Sequence, residues 1–229
     1  MLGAHGNPEW LDLSDYVVHF TKGGAQAGYE TVMAILGQRR LVRGPGMFGA
    51  ARFFELAASQ RAVCFSEVPL GFLKRLAERR QSLYGLALSK RFILSRGGAP
   101  VWYLENGTPP QRALEAVIAS RRAAGFTTTD PLWGLTPFVD FPSGPTSPYQ
   151  YAFQWEREWR VAADVEFTEQ DVALLLIPEY QHAAAQQFFA DAVRSNIGPG
   201  YFCPYVDPTW PLPRVQQALS VSRRSRGLP

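Results

Sequence analysis

The stretch Asp15-Tyr-Val-Val-His-Phe-Thr-Lys22 decides the fold, because it is the first segment of the chain with the pattern of a buried strand. Its two valines and Phe20 are strand-forming residues with a polar residue set among them. We expect a strand that delivers His19 and Thr21 to its end. On this pattern alone, His19 is either a hydrogen-bonded core residue or a ligand-binding one, since the neutral imidazole ring is amphipathic and often half buried.

A turn and a helix follow this strand. Gly23-Gly24 makes the turn, and apolar residues recur at helical spacing from Tyr29 to Leu36. Gly37 then has the position of a C-terminal cap, where glycine adopts the left-handed conformation at little cost. The opening of the chain is therefore predicted to be strand, turn and helix.

Length and composition indicate one folded domain. The chain has 229 residues, of which 46% are hydrophobic, and this is enough to bury a core. We expect a loose lead-in at residues 1–14, a single domain at residues 15–206 and a basic tail at residues 207–229. The formal net charge of +3 permits a polyanionic partner without requiring one.

Cysteine usage and hydropathy predict a cytoplasmic protein. Cys64 and Cys203 are too few and too far apart for a disulfide framework or a zinc knuckle, so we expect a reducing compartment and no metal site. The N-terminus lacks the pattern of a secretory signal, and no apolar run approaches the roughly 20 residues of a membrane helix. No membrane partner is expected.

Further along, helices alternate with strands at first and the later strands come closer together, which is typical of an α+β domain with a mixed, mostly antiparallel sheet. The predicted strands are Ala62–Glu67, Tyr84–Leu88, Pro100–Leu104, Tyr151–Ala162, Val172–Ile177 and Gly200–Val206. The predicted helices are Ala50–Ser59, Leu70–Arg80, Pro110–Ala124 and Tyr180–Ser195. Gly125–Gln150, with five prolines, is predicted to be a long loop of functional or mobile character.

One glycine-rich run, Gly44-Pro-Gly-Met-Phe-Gly49, fits the dinucleotide fingerprint G-x-G-x-x-G, and Glu67 follows where a ribose-binding carboxylate would lie. The strand before it is charged instead of apolar, and Pro45 stiffens the turn that should wrap a pyrophosphate. An ordinary glycine- and proline-rich loop is the favoured interpretation.

Two glutamates carry the strongest chemical signal. Glu156 and Glu158 are two residues apart, so on a strand both carboxylates leave the same face. On the residues alone, the pair is either catalytic or part of an exposed edge strand with alternating salt-bridged charges. A nucleophile formed by Cys64 and His182 is disfavoured, because Cys64 lies in an apolar stretch that keeps it a thiol and no third orienting group is indicated.

Three stretches resemble, in order, the three motifs of the ADP-ribosyltransferase superfamily. The first, Val18-His-Phe-Thr-Lys22 and the helix after it, resembles the His-x-Thr strand and helix of the diphtheria-toxin and poly(ADP-ribose) polymerase branch. The second, Val63-Cys-Phe-Ser-Glu67 with Tyr84-Gly85 beyond a helix, is similar to the aromatic/Ser strand and the second aromatic. The third, Glu156-Arg-Glu158, resembles the Glu-x-Glu of the arginine-specific and guanine-specific branches. Since the first and third motifs belong to different branches, the target residue stays open.

Over most of residues 15–180 the chain resembles the AbiGi-type proteins of bacterial abortive-infection systems. The residues that carry this likeness are Cys64-Phe-Ser-Glu67, Tyr84-Gly-Leu-Ala-Leu-Ser-Lys90, Pro100-Val-Trp-Tyr103 and Glu156-Arg-Glu-Trp-Arg160. The resemblance implies an ADP-ribosyltransferase-like α+β fold of mixed, mostly antiparallel sheets with flanking helices and an NAD cleft between them. It also implies a part in phage defence or a toxin–antitoxin system, with NAD as substrate and a cognate toxin or antitoxin as partner.

The resemblance also implies roles for individual residues. Glu158 would stabilise the oxocarbenium-like state formed when the nicotinamide–ribose bond of NAD breaks, and Glu156 would orient or deprotonate the acceptor. The residues implied in NAD binding are His19 for a ribose, the backbone of Phe20 for the carboxamide, Tyr84 for stacking on nicotinamide, Ser66 for holding Glu158, and Thr21 and Phe65 on the same strands. Apart from the resemblance, Tyr84 and Phe65 are ordinary core aromatics and Ser66 a strand-end hydrogen-bonding residue.

Three functions remain open at this point. The leading one is an NAD-dependent ADP-ribosyltransferase that modifies a nucleic acid or a protein, for which we expect NAD to lie between the His19 strand and the Glu158 strand. In that case Trp133, Phe138 and Phe141 in the long loop would help to choose the target. The second is an NAD glycohydrolase, which uses water as the acceptor. The third is a non-catalytic antitoxin that binds a partner through the same scaffold.

Overall fold

The structure is a computed structural model that describes residues 14–22, 24–67, 69–125, 127–141 and 153–225. Most of the predicted lead-in and the part of the long loop after Phe141 lie outside the described residues. The described part is a mixed α+β fold with a mostly antiparallel sheet and flanking helices, which confirms that part of the fold-class prediction. Among these residues no helix has the length and apolar character needed to cross a bilayer.

The described residues contain eleven strands and eight α-helices, with short 3-10 helices between them. The strands are β1 (Tyr16–Phe20), β2 (Arg40–Leu41), β3 (Val63–Ser66), β4 (Gly85–Ser89), β5 (Ala99–Pro100), β6 (Trp102–Tyr103), β7 (Val139–Asp140), β8 (Glu158–Val161), β9 (Val165–Glu166), β10 (Val172–Leu176) and β11 (Tyr205–Val206). The α-helices are α1 (Ala25–Gln38), α2 (Ala57–Gln60), α3 (Leu73–Arg80), α4 (Lys90–Ser95), α5 (Pro109–Ala123), α6 (Leu132–Leu135), α7 (His182–Arg194) and α8 (Leu212–Ser225).

The chain divides into two compact units, each made of segments that are distant in the sequence. The first unit comprises Met1–Leu41, Phe65–Ile93 and Glu166–Pro229, and the second comprises Val42–Cys64 and Leu94–Val165. The sequence predicted a single domain over residues 15–206, whereas the first unit continues beyond residue 206.

In the first unit the strands lie in the order β11–β10–β4–β1–β3. β1 runs antiparallel to β3 and β4, β10 runs antiparallel to β4, and β11 runs parallel to β10. The leucines of β4 and β10, such as Leu86 and Leu175, have no solvent exposure, and each contributes roughly 1.5–3 kcal/mol by leaving water. Complete burial explains why these strands are continuous apolar runs that the sequence predicted.

A glycine allows β4 to approach β1 closely. The register pairs Phe20 with Gly85, and a Cβ atom on Gly85 would lie 2.4 Å from the carbonyl oxygen of His19. Any other residue would force the two backbones apart. Helix α1 ends two residues later than expected, because Arg39 and not Gly37 takes the left-handed conformation, at φ 53°. The predicted glycine cap is therefore wrong, and the Arg39 N–H bonds to the carbonyl oxygens at the end of the helix.

The segment predicted as a basic tail contains α8. Trp210 Nε1 donates a hydrogen bond to Glu179 at 2.9 Å, and Arg214 forms an ion pair with the same carboxylate. Val215 of α8 is completely buried. These contacts tie the helix to the first unit, to which all of these residues belong.

In the second unit, short strands bring distant segments together. β5 pairs antiparallel with β8, and β6 pairs parallel with β7 so that Tyr103 lies opposite Asp140. The predicted strand Pro100–Leu104 is therefore split between two partners. The core cluster of the second unit is formed by Ala51, Leu56, Ile118 and Trp133.

The glycine-rich run does not form a dinucleotide-binding turn. The strand before it, β2, has two residues, and the segment after it is not helical until a 3-10 helix begins at Phe54, followed by α2 at Ala57. Gly49 has φ 82°, and a Cβ atom there would lie 1.9 Å from the carbonyl oxygen of Thr136. Ala50 N–H donates to that same oxygen at 3.0 Å. Gly49 thus allows two backbone segments to pack closely, as expected of an ordinary loop.

Candidate active site

The two glutamates do not lie side by side on one strand. Glu156 ends a 3-10 helix, Phe153–Glu156, and β8 begins only at Glu158. Between them Arg157 has φ 43°, in the left-handed region. A left-handed residue breaks the alternation of side chains on which the prediction relied. Of the predicted strand Tyr151–Ala162, the described residues form a strand only at Glu158–Val161, and the common face for both carboxylates is wrong.

Glu158 is held by two side chains of its own unit. The Tyr103 hydroxyl donates to Glu158 Oε2 at 2.5 Å. Arg160, on the same face of β8, donates from Nε to Oε1 at 2.9 Å and from Nη2 to Oε2 at 3.1 Å. This two-point contact is the strong planar geometry of arginine with a carboxylate, and it fixes the Glu158 side chain in one orientation.

Arg160 is the centre of the cluster and is 2% exposed. Besides Glu158, its guanidinium donates to the carbonyl oxygen of Pro137 and to Asp140 Oδ2, each at 2.8 Å. It also lies 4.8 Å from the centre of the Phe48 ring. Burial by itself lowers the pKa of Arg160, but the charge and hydrogen bonds of Glu158 and Asp140 outweigh it and raise the pKa. The guanidinium is therefore a permanent cation.

Asp140 connects this centre to a more exposed arginine. Its Oδ1 accepts from Arg52 Nη2 at 2.6 Å and from the backbone N–H of Phe141 at 3.0 Å. The Arg52 side chain is 55% exposed, so water screens its charge more than that of Arg160. Three charged groups of the cluster are thus buried, namely Glu158, Asp140 and Arg160, and the exposed Arg52 supplies a second cation, so that two carboxylates face two guanidiniums.

Tyr103 completes the site as a neutral donor. Burial, followed by the nearby charge of Glu158, raises the pKa of the Tyr103 hydroxyl well above its ordinary value. The phenol therefore keeps its proton at physiological pH and donates a hydrogen bond to the carboxylate of Glu158. Each carboxylate oxygen can accept about two hydrogen bonds. Among the residues that the structure describes, Glu158 Oε1 accepts only from Arg160 Nε, so it keeps acceptor capacity, and the residue retains 9% exposure.

Glu156 differs from Glu158 in its surroundings. It is 1% exposed at the end of the 3-10 helix. A group so fully covered is less suited than Glu158 to meet an external acceptor molecule. Among the loop residues expected to choose a target, Trp133 is a core residue with 2% exposure, whereas Phe138 and Phe141 are half buried.

The residues of the first and second motifs belong to the first unit. Thr21 is 2% exposed, and its hydroxyl lies 3.0 Å from the Gly28 carbonyl oxygen and 3.1 Å from that of Tyr84. Ser82 Oγ is a further partner at 3.2 Å. Through these hydrogen bonds, Thr21 connects the end of β1 to α1 and to the segment before β4. We call Thr21, Ser82 and the Tyr84 carbonyl the threonine cluster.

The aromatic residues of these motifs are packed into the first unit. Tyr84 is 1% exposed, meets Tyr29 edge-on with ring centres 5.8 Å apart, and donates its hydroxyl to Gln181 at 2.7 Å. Burial and the neighbouring Tyr180 raise the pKa of Tyr84 to about 12. A ring covered in this way serves the core. Of the other predicted site residues in this unit, Phe20, Phe65 and Ser66 are also buried.

His19 is the more accessible of the predicted NAD-binding side chains. Its ring is half buried and meets Phe65 edge-on at 5.8 Å between ring centres. The site residues predicted from the sequence thus fall into two groups. Glu156 and Glu158 belong to the second unit, and the first unit contains His19, Phe20, Thr21, Phe65, Ser66 and Tyr84. A cleft that joins the two groups stays a prediction.

Three residues of the Glu158 cluster escaped the sequence analysis, namely Tyr103, Asp140 and Arg52. Tyr103 and Asp140 come from two-residue strands, which carry no periodic signal. The one available signal was the aspartate between Val139 and Phe141, a charge within an apolar triplet of a proline-rich segment. Such a charge needs a buried partner, and here that partner is Arg160.

Comparisons of the chain with protein-family models, with curated proteins and with solved structures found no match.

Proposed function

We propose that this protein is an NAD-dependent ADP-ribosyltransferase that cleaves the nicotinamide–ribose bond and passes ADP-ribose to a nucleic acid or protein acceptor in bacterial phage defence or a toxin–antitoxin system. The observation that carries the proposal is the carboxylate of Glu158, which is fixed from two sides and keeps an acceptor site on Oε1. The resemblance of the three sequence motifs supplies the reaction class.

The chemistry requires a fixed negative charge. As the bond to nicotinamide breaks, positive charge develops on the ribose, and a carboxylate that is already in position stabilises it without reorganisation. Tyr103 and Arg160 hold Glu158 in that position, so we regard them as positioning residues. The acceptor position of Glu158 Oε1 that these two residues do not use would accept a hydrogen bond from a ribose hydroxyl.

Arg160 does not cancel the charge of Glu158, because it is shared. Its guanidinium pairs with Asp140 as well as with Glu158, at 2.8 and 2.9 Å. Arg52 pairs with Asp140 at 2.6 Å, but its side chain is 55% exposed, so water screens its charge more than that of the buried groups. The buried Glu158 carboxylate favours the developing cation more than an exposed carboxylate would, since water screens it less.

On the NAD side we assign the ligand contact to His19 and the backbone of Phe20. The half-buried ring of His19 is the side chain of the first motif with surface left for a ribose hydroxyl. Thr21 and Tyr84 would act indirectly, by holding the strand end in place through the threonine cluster. Glu156 keeps the proposed role towards the acceptor, which would need movement at Arg157 to expose it.

The experiment is incubation of the purified chain with NAD labelled in the adenylate, together with DNA, RNA and lysate protein. The proposal expects label to enter one macromolecular fraction, and Glu158→Gln to prevent it. Glu105→Gln is the matched control, because Glu105 is an exposed carboxylate of the same unit. Release of free ADP-ribose alone would show an NAD glycohydrolase instead.

A second candidate, a non-catalytic antitoxin or binding module, is favoured by one specific observation. Both oxygens of Glu158 already have donors and Glu156 is almost completely buried, as in a cluster that serves stability alone. In that case the chain would not consume NAD, and it would copurify with a protein from the host that expresses it.

A further inference from the structure

An open groove runs along one face of α5 in the second unit. Its volume is about 560 Å³, within the range of roughly 300–1,000 Å³ typical of small-molecule sites. The residues that shape it are Phe53, Glu115, Ile118, Ala119, Arg122 and Phe141. All of them belong to the second unit, so the groove is a property of that unit alone.

The groove has a fixed wall made of an arginine on an aromatic ring. Arg122 Cζ lies 4.3 Å from the centre of the Phe53 ring, which is the geometry of a cation–π contact. Phe53 in turn meets Trp133 edge-on, with ring centres 6.3 Å apart, and Trp133 is 2% exposed. The wall is therefore supported by the core cluster of the unit. Arg122 also lines the groove, so its guanidinium is available there to a flat ring.

Two opposite charges stand at separate points of the same helix face. Glu115 and Arg122 are seven residues apart, which places them two turns and roughly 10 Å apart along the axis. Within the part of the chain that the structure describes, the Glu115 carboxylate has no hydrogen-bond or ion-pair partner. An acceptor at one point and a donor at the other, with an apolar floor at Ile118 between them, suit a flat ligand with a polar edge.

We propose that this groove binds a nucleobase that carries an exocyclic amino group, that is, adenine, guanine or cytosine. The base stacks on the Arg122 guanidinium, as bases do on arginine planes, with Phe141 at its side. Its amino group donates to Glu115. Uracil and thymine have no amino group, and their one donor, N3–H, lies between two carbonyl oxygens that a carboxylate repels, so they pair with Glu115 less favourably. The base can come from NAD or from a nucleic acid, and this binding requires no catalytic step.

The test measures binding of AMP, GMP, CMP and UMP to the full chain by titration calorimetry. We expect the three amino-bearing nucleotides to bind about tenfold more tightly than UMP, which is the worth of one hydrogen bond to a charged group. Glu115→Ala should remove that preference and leave UMP binding unchanged. Ala119→Leu, which fills the groove, should weaken all four nucleotides at least tenfold.

Ala113→Leu is the matched control, because Ala113 is an exposed alanine of α5 that does not line the groove. Equal binding by the Ala119→Leu and Ala113→Leu variants would overturn the proposal, as would equal affinity for UMP and the other nucleotides or no binding of any. Melting curves of both variants are measured to establish that they are folded.

Two further titrations identify the source of the base. If NAD displaces AMP and binds more tightly than AMP, the base is the adenine of NAD. If a single-stranded oligonucleotide displaces AMP and NAD does not compete with it, the base belongs to a nucleic acid. Either result supports the groove. Nucleotide binding by a chain that does not consume NAD would overturn the proposed function and leave this inference standing.

Discussion

Two buried polar clusters, one in each unit, differ in the kind of group they contain. The threonine cluster of the first unit is neutral: the Thr21 hydroxyl lies 3.0–3.1 Å from backbone carbonyl oxygens and 3.2 Å from the Ser82 hydroxyl. The Glu158 cluster of the second unit is ionic and joins carboxylates to guanidiniums at 2.6–3.1 Å. Both lie at the end of a strand, where the sequence motifs predicted a site.

The difference indicates which cluster can do chemistry. A hydroxyl has one proton to donate, and that of Thr21 is directed at carbonyl oxygens of its own unit, so its hydrogen bonding serves the fold. A carboxylate has about four acceptor positions, and Glu158 uses three of them. The neutral cluster therefore positions backbone, and the ionic cluster combines stability with an acceptor site on a carboxylate.

The largest expected effect on stability is that of Arg160→Ala. The substitution leaves Glu158 and Asp140 buried without their shared cation, and breaking a buried ion pair costs about 3–5 kcal/mol. Urea unfolding measures this loss. Arg121→Ala is the control, because the Arg121 side chain is 60% exposed and its ion pair with Asp130, at 3.6 Å, is worth about 1 kcal/mol or less. Equal losses for the two variants would show that the Glu158 cluster is not a tight network.

A smaller loss is expected for Gly85→Ala in the first unit. The new Cβ would lie 2.4 Å from the His19 carbonyl oxygen, and relieving such overpacking costs about 1–3 kcal/mol. Thermal unfolding is the measurement. Gly37→Ala is the contrasting variant, since nothing lies within 4 Å of its Cβ position and alanine favours the helix. A Gly85→Ala protein as stable as the wild type would refute the close approach of β4 to β1.

The smallest effect concerns Tyr84 at alkaline pH. Its pKa is raised from 10.0 to about 12, so the stability that the neutral phenol supplies is complete below pH 10 and is lost as the pH rises towards 12. At neutral pH, Tyr84→Phe should cost about 0.5–1.5 kcal/mol through the lost hydrogen bond to Gln181. Between pH 10 and 12 that difference should shrink. A difference that stays constant with pH would show that Tyr84 ionises as freely as an exposed tyrosine.

Much of the fold could be predicted from the sequence where burial is uniform or periodic. The apolar run of β10 and the proline in the first turn of α5 predicted both elements to within a residue or two, because complete burial and a helix start each leave a local signature. α1 was predicted with its end displaced, since a left-handed Arg39 has no local signature to compete with Gly37.

The candidate site was harder to predict, because its parts meet only in the folded chain. Glu158 could be selected by its motif, and Arg160 belongs to the same quoted stretch, Glu156-Arg-Glu-Trp-Arg160. Tyr103 and Asp140 could not, since each stands on a two-residue strand and reaches the site through pairing with a distant segment. The turn at Arg157 was missed for a similar reason, as its conformation depends on the packing around it.

The most direct test of the central claim is the turnover of NAD by the Glu158→Gln protein. If the carboxylate stabilises charge that exists only in the transition state, NAD affinity should stay nearly the same while turnover falls by about 10²–10³, the effect of losing one preorganised electrostatic contact. The amide keeps the shape of the side chain, and melting curves show how much of the fold is retained. A Glu158→Gln protein that consumes NAD as fast as the wild type would contradict the account, as would a wild-type protein that does not consume NAD at all.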